Sequence, residues 1–126
     1  MRIIGGRARG RRLQALSKST AKYSSQLIRP TADRAREALF NIIGSEVENA
    51  TVLDLYAGTG ALGLEALSRS AEQAVFVDKS QQAVQLINKN IELCGFSDRT
   101  KKYPGQLFPL YLLIHLTGKG CLLICC

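Results

Sequence analysis

Two carboxylates and a run of glycines carry the chemistry of this sequence. Asp54 lies near the end of an apolar run, Thr51 to Leu55, and a turn, Tyr56-Ala57-Gly58-Thr59-Gly60, then opens a helical stretch with Gly63 in its first turn. Asp78, followed by Lys79, ends a second apolar run, Ala74 to Val77. A strand that runs through a glycine turn into a helix presents backbone N–H groups to a ligand, and glycine leaves no Cβ in the way. The candidate cofactor contacts are therefore Asp54, Tyr56, Ala57, Gly58, Thr59, Gly60, Asp78 and Lys79. Gly58-x-Gly60-x-x-Gly63 with Asp78 downstream also satisfies the dinucleotide fingerprint. No Gly-Lys-Ser/Thr follows, which excludes a phosphate-binding P-loop. Asp54 weighs against a pyrophosphate, which its charge would repel. It suits a cofactor carrying an ammonium and a sulfonium, and Asp78 at its strand end can accept both hydroxyls of a ribose.

The elements that must hold these groups follow from periodicity. Strand, helix, strand, helix is the order over 51–94, which predicts a parallel sheet in an α/β fold. The second helix runs from a Ser80 cap to Cys94, with Val84, Ile87, Ile91 and Cys94 on one face and Gly95 as its end. Upstream, Thr31 is a fair N-cap for a helix whose apolar stripe is Ala35, Ala38, Leu39, Ile42 and Ile43, stopped at Gly44, with Arg34, Arg36 and Glu37 off the stripe. Arg2-Ile3-Ile4 and Arg11-Arg12-Leu13-Gln14 can pair across the glycines between them. Lys18 to Gln26 reads as a mobile connector.

Charge is uneven. The 126 residues are 46% hydrophobic with a net charge of +7, which suits one soluble domain. Residues 1–32 hold eight Lys or Arg and no acid, whereas the rest is near neutral. A basic arm on a neutral body is the footprint of a protein that grips phosphate backbones, and Arg2, Arg7, Arg9, Arg11 and Arg12 are its candidate RNA contacts. An organelle transit peptide shares this composition. The four cysteines form no disulfide framework, which points to a reducing cytoplasm.

Asp54-x-x-x-Gly58-x-Gly60 with Asp78 one strand later resembles the S-adenosylmethionine site of Rossmann-like methyltransferases. Arg29-Pro30-Thr31-Ala32-Asp33-Arg34-Ala35-Arg36-Glu37-Ala38-Leu39-Phe40-Asn41 narrows the likeness. Together with Met1 to Leu13, Asp54 to Arg69 and Ala74 to Asp78, it is similar to the bacterial 16S rRNA (guanine-N2)-methyltransferases of the RsmD type. The resemblance implies a Rossmann-like class I methyltransferase fold, S-adenosyl-L-methionine as cofactor, and 16S rRNA of the small ribosomal subunit as partner, in the cytoplasm. It also implies an N-terminal hairpin that contacts the rRNA, and a helix start over the methionine end of the cofactor, which adds Thr31 and Arg34 to the candidate contacts. A monomer with no membrane association and no metal is expected. Two other readings stand beside it: a dehydrogenase fragment binding NAD or FAD, and a non-enzymatic rRNA-binding remnant.

The likeness fades after Lys101. No Asp, Glu or Asn occurs beyond Asp98, and the Asp/Asn-Pro-Pro-Tyr/Phe tetrapeptide of the family's catalytic loop is absent, so no catalytic residue is assigned. That tetrapeptide would align the exocyclic amine of a flipped base with the methyl donor. The expected organisation is a basic arm and connector over 1–28, half of a methyltransferase domain over 29–101, and an aberrant tail over 102–126 that reads as out-of-frame translation. The tail shows no sustained strand or helix period. Its longest apolar run is far below the roughly 20 residues a bilayer span needs. His115 with Cys121, Cys125 and Cys126 fits no common zinc spacing. Without a partner from the tail, the strand Thr51–Leu55 is expected to expose an unpaired apolar edge and to make the chain aggregation-prone.

Overall fold

The computed structural model describes residues 1–15, 33–55, 57–104 and 121–125, with 101–104 and 121–125 described by backbone alone. Four strands form one parallel sheet in the order β3-β2-β1-β4, where β1 is Thr51–Leu55, β2 Gln73–Asp78, β3 Thr100–Pro104 and β4 Cys121–Cys125. Helix α1 (Asp33–Ile43) precedes β1, α2 (Ala61–Ser68) joins β1 to β2, and α3 (Gln81–Cys94) leads from β2 toward β3. Strands buried on both faces read as apolar runs rather than alternations. Val52, Leu53, Ala74, Val75 and Phe76 are accordingly almost wholly buried.

β1 is central. Thr51 to Leu55 face Gln73 to Val77 on one side and Cys121 to Cys125 on the other, all in parallel. The expected bare edge of β1 is therefore covered, and the tail supplies the cover. The run Cys121-Leu-Leu-Ile-Cys125, led in by Gly120, is too short to show a period, yet it matches a buried parallel strand in length and composition. The sheet order also reverses at β1. Strands β2 and β3 lie to one side and β4 to the other, which puts the topological switch point of a doubly wound sheet at the carboxyl end of β1.

Helix α2 is buried around its whole circumference, as suits a helix with protein on every side. It packs tightly on the sheet at Gly63, where a Cβ would stand 2.4 Å from the Phe76 ring. Gly63→Ala is expected to cost about 1–3 kcal/mol through overpacking. Adding Phe76→Leu should recover part of that loss, and urea midpoints of the two variants check both statements.

Helix α3 follows its periodicity. The Ser80 hydroxyl accepts from the Ala83 N–H at 3.4 Å, Gly95 ends the helix in the left-handed region, and Ile87, Ile91 and Cys94 are buried. Helix α1 does not. Ala35, Ala38 and Ile42 are exposed, Ile42 by 84%, and the buried side chains are Arg36 and Phe40. The expected stripe was one step out of phase, because a buried ion pair draws Arg36 inward. Thr31 and the connector 18–26 lie outside the described residues.

Candidate cofactor site and basic hairpin

Asp54 is fully buried near the end of β1. The residue at the N-cap of α2 is Gly60, which has no side chain to cap the helix. Asp54 does that work from the strand: its Oδ2 accepts the Gly63 N–H, an unpaired first-turn donor, at 3.1 Å. Its Oδ1 is buried with no hydrogen-bond partner among the described residues. Desolvation pushes the carboxyl up to about 7; the Gly63 hydrogen bond opposes the rise and the charge of Asp78 adds to it. A buried carboxylate oxygen left without a donor costs free energy until something supplies one.

The glycine turn lies beside it. Gly58 and Gly60 have φ of 59° and 81°, which favours glycine at both positions. Asp78 closes the turn, with Oδ2 accepting the Gly58 N–H at 2.9 Å and Oδ1 the Ser80 N–H at 2.8 Å. Ala57 N–H donates to Val77 at 3.1 Å and ties the turn to β2. Each Asp78 oxygen keeps a second lone pair for a hydroxyl donor. Lys79 is exposed next to it.

So the structure gathers Asp54, Ala57, Gly58, Thr59, Gly60 and Asp78 around one turn at the switch point. Two N–H groups that would cradle a pyrophosphate, those of Gly58 and Gly63, are already taken by carboxylates. The site is thus anionic in character and fits a ligand that brings a cation and hydroxyl donors. Arg34 lies on the exposed side of α1 with no hydrogen bond to the turn among the described contacts. Tyr56, like Thr31, lies outside the described residues.

The basic N-terminus is a docked hairpin. Arg2 and Arg12 form an antiparallel bridge, flanked by hydrogen bonds from Ile3 N–H to Arg11 at 3.0 Å and from Leu13 N–H to Met1 at 3.0 Å. Ile3, Ala8 and Leu13 are buried, while Arg2, Arg7, Arg9, Arg11 and Arg12 are exposed. Arg11 also donates to the Leu93 carbonyl at 2.6 Å, near the end of α3. At the other end of the strands, a cavity of about 510 Å³ is lined by Arg7, Ser68, Ser70, Glu72 and Arg99 among others.

The residue that fastens the hairpin is Glu65 of α2, fully buried. It accepts the N–H groups of Ile4 and Gly5, both at 2.9 Å, and pairs with Arg69 Nε at 2.9 Å and Arg36 Nε at 3.4 Å. Arg36 further donates to the Arg2 carbonyl and pairs with Asp33 at 3.0 Å. Ser68 adds three bonds to the hairpin: its hydroxyl accepts from the Ala8 N–H at 2.9 Å and donates to the Gly5 carbonyl at 2.6 Å, and its carbonyl accepts the Arg7 N–H at 2.8 Å. Glu65, Arg36 and Asn90 received no role from the sequence. A lone acid inside Ala61-Leu-Gly-Leu-Glu65-Ala-Leu was the available signal, since a charge in an all-apolar helix must be paired.

Comparison with known proteins agrees with this geometry. Residues 1–112 match the family described as Conserved hypothetical protein 95. Ribosomal RNA small subunit methyltransferase D of Escherichia coli K12 is 44% identical over 91 residues, covering 72% of this chain and 42% of that protein. The solved structure of the E. coli protein yhhF superposes with a TM-score of 0.70 at 37% identity, covering 84% of this chain and 53% of that one. An RNA methyltransferase of Salinibacter ruber, solved with S-adenosyl-L-homocysteine, shares the fold at a TM-score of 0.56 and 19% identity. The chain spans about half the length of the curated relatives it matches. A switch-point turn with two acids, a docked basic hairpin and a family match over most of the sequence place this chain in the RsmD-type rRNA methyltransferase family, with a class I methyltransferase fold.

Proposed function

We propose that this chain binds S-adenosyl-L-methionine at the Asp54–Asp78 turn and small-subunit 16S rRNA through its hairpin, as the cofactor-holding part of a guanine-N2 methyltransferase. The observation that carries the reading is the buried Oδ1 of Asp54, which has no hydrogen-bond partner among the described residues. The methionine end of the cofactor brings an ammonium and a sulfonium, and a carboxylate is the group that holds such charge. Asp78 offers its spare lone pairs to the ribose hydroxyls, and Gly58 and Gly60 let the turn approach the cofactor closely. When bound, the cofactor supplies an electrophilic methyl group. Thr31, Arg34, Tyr56 and Lys79 are further contacts on this reading.

Turnover needs more than a donor. The amine must be held in line with the methyl group, and orientation of this kind is worth roughly 7–11 kcal/mol. The 126 residues contain no Asp/Asn-Pro-Pro-Tyr/Phe tetrapeptide to provide it. We therefore expect cofactor binding without methyl transfer, from a cytoplasmic monomer; the expected boundary at 101 falls inside β3, and Cys121–Cys125 of the expected tail joins the same sheet as β4.

Calorimetry with S-adenosylhomocysteine and with NAD tests the cofactor, and transfer of labelled methyl to 30S subunits tests turnover. Heat with S-adenosylhomocysteine, none with NAD, and incorporation equal to the no-protein blank are expected. Preference for NAD would overturn the cofactor assignment, and incorporation above the blank would overturn the inactivity. Salt-dependent rRNA binding with no uptake of S-adenosylhomocysteine would instead favour a purely RNA-binding role, which the five exposed hairpin arginines would suffice to support.

A further inference from the structure

The first strand of the hairpin bonds the cofactor turn directly, and the second reaches it through one side chain of α3. At the start of the first strand, the Thr59 hydroxyl donates to Met1 Sδ at 3.4 Å. At the end of the second, Gln14 meets Asn90, a fully buried residue of α3. Asn90 uses its whole amide: Oδ1 accepts the Gln14 N–H at 2.7 Å, and Nδ2 donates to the Gln14 carbonyl at 3.1 Å and to the Thr59 carbonyl at 2.9 Å. One side chain thus bonds the end of the basic hairpin and the middle of the glycine turn together. Thr59 is held between Gly58 and Gly60, both in the left-handed region, so the Thr59 carbonyl cannot turn away without the turn itself changing shape.

We propose that Asn90 is a positioning residue that couples the RNA-gripping hairpin to the cofactor turn, so that occupancy of one is felt by the other. The inference rests on the cofactor reading given above. Three bonds from a buried amide make a poor hinge and a good strut. A hairpin seated on the body fixes Gln14, Gln14 fixes Asn90, and Asn90 holds the Thr59 carbonyl. Linkage makes the effect reciprocal: a ligand that tightens the turn must also tighten the hairpin. Glu65 fastens the same hairpin but makes no hydrogen bond to the turn among the described residues, so its loss would weaken the grip without serving this relay.

Amide hydrogen exchange on the full chain, with and without saturating S-adenosylhomocysteine, reads the coupling directly. The ligand is expected to slow exchange about fivefold or more at Gly58 to Ala61 and also at Leu13 to Ala15, which lie on the far side of Asn90. In Asn90→Ala the turn should still be protected by the ligand while the hairpin is not. A purely structural Asn90 would leave the ligand-induced change in the hairpin intact. Protection of the turn without protection of the hairpin in the parent chain overturns the proposal, as does hairpin protection that survives Asn90→Ala. The parent-chain measurement decides even if the variant does not fold. No protection at either segment overturns the cofactor reading itself, and the coupling with it.

Discussion

Asp54→Asn should melt higher than the parent chain at pH 8 and bind S-adenosylhomocysteine about tenfold to a hundredfold more weakly. Both halves come from one geometry. The Asp54 carboxyl is buried, holds one backbone N–H through Oδ2, and leaves Oδ1 bare. Its folded-state pKa is raised from 3.8 to about 7, with burial as the largest cause. Between those values the folded chain holds a proton that the unfolded chain has released. Stability therefore falls as pH rises through that window and levels off above it. At about 1.4 kcal/mol per unit, the loss by pH 8 is on the order of 4 kcal/mol. Asn keeps an acceptor for Gly63 and removes the charge, so its advantage should be near zero at pH 4 and on the order of 10 °C at pH 8.

Affinity should run the other way. The ammonium of S-adenosylhomocysteine needs the ionised carboxylate, so binding to the parent chain should strengthen as pH rises toward and past 7. In Asp54→Asn that pH dependence should vanish along with the charge-assisted bond, worth about 1.5–3 kcal/mol. Opposite pH slopes for stability and affinity, both erased by one substitution, would mark Asp54 as a functional acid held at a structural cost. Thermal melts and calorimetry from pH 5 to 8 give both slopes. If Asp54→Asn lowers the melting point at pH 8, the carboxylate is a helix cap and nothing more.

The parts of this fold that could be read from sequence are those where neighbours in the chain decide the outcome. β1, the glycine turn, β2 and α3 follow from runs, turns and a serine cap, each local to a few residues. What escaped depends on residues far apart. Arg36 and Glu65 are 29 positions apart, and only their meeting explains why α1 buries an arginine and exposes Ile42. Periodicity assigns charges outward by default and so shifted the α1 stripe. β4 escaped for a different reason: five apolar residues after a glycine carry no period, and their pairing with β1 comes from a segment 70 positions later. At the site, the positions of Asp54 and Asp78 were legible, but not that each already holds a backbone N–H. Nor was Asn90 legible, because an amide on an exposed face and one that braces two loops are the same letter.

Removing the fastening of the hairpin should have the largest effect on stability. Glu65→Ala is expected to lose about 3–5 kcal/mol, since it removes a buried carboxylate partner of the Arg36 guanidinium and the acceptor of two backbone N–H groups at once. Against a total of about 5–15 kcal/mol for a small domain, that is a large share of the stability. The loss should depend on Arg36 more than on the hairpin bonds. Arg36 is fully buried and makes its buried ion pair with Glu65, whereas Asp33 on its other side is 45% exposed. The double variant Glu65→Ala with Arg36→Met should therefore be more stable than Glu65→Ala alone, because it removes a buried charge that has lost its buried carboxylate and leaves an apolar chain of similar length. Arg69 is the control. Its guanidinium is partly exposed and stacks 5.2 Å from the Phe40 ring, so Arg69→Met should rescue Glu65→Ala little. Urea unfolding of the three single variants and two pairs yields the coupling energies. If Glu65→Ala costs less than about 1 kcal/mol, the hairpin is held by the burial of Ile3, Ala8 and Leu13 instead, and the ion-pair cluster beneath it is incidental.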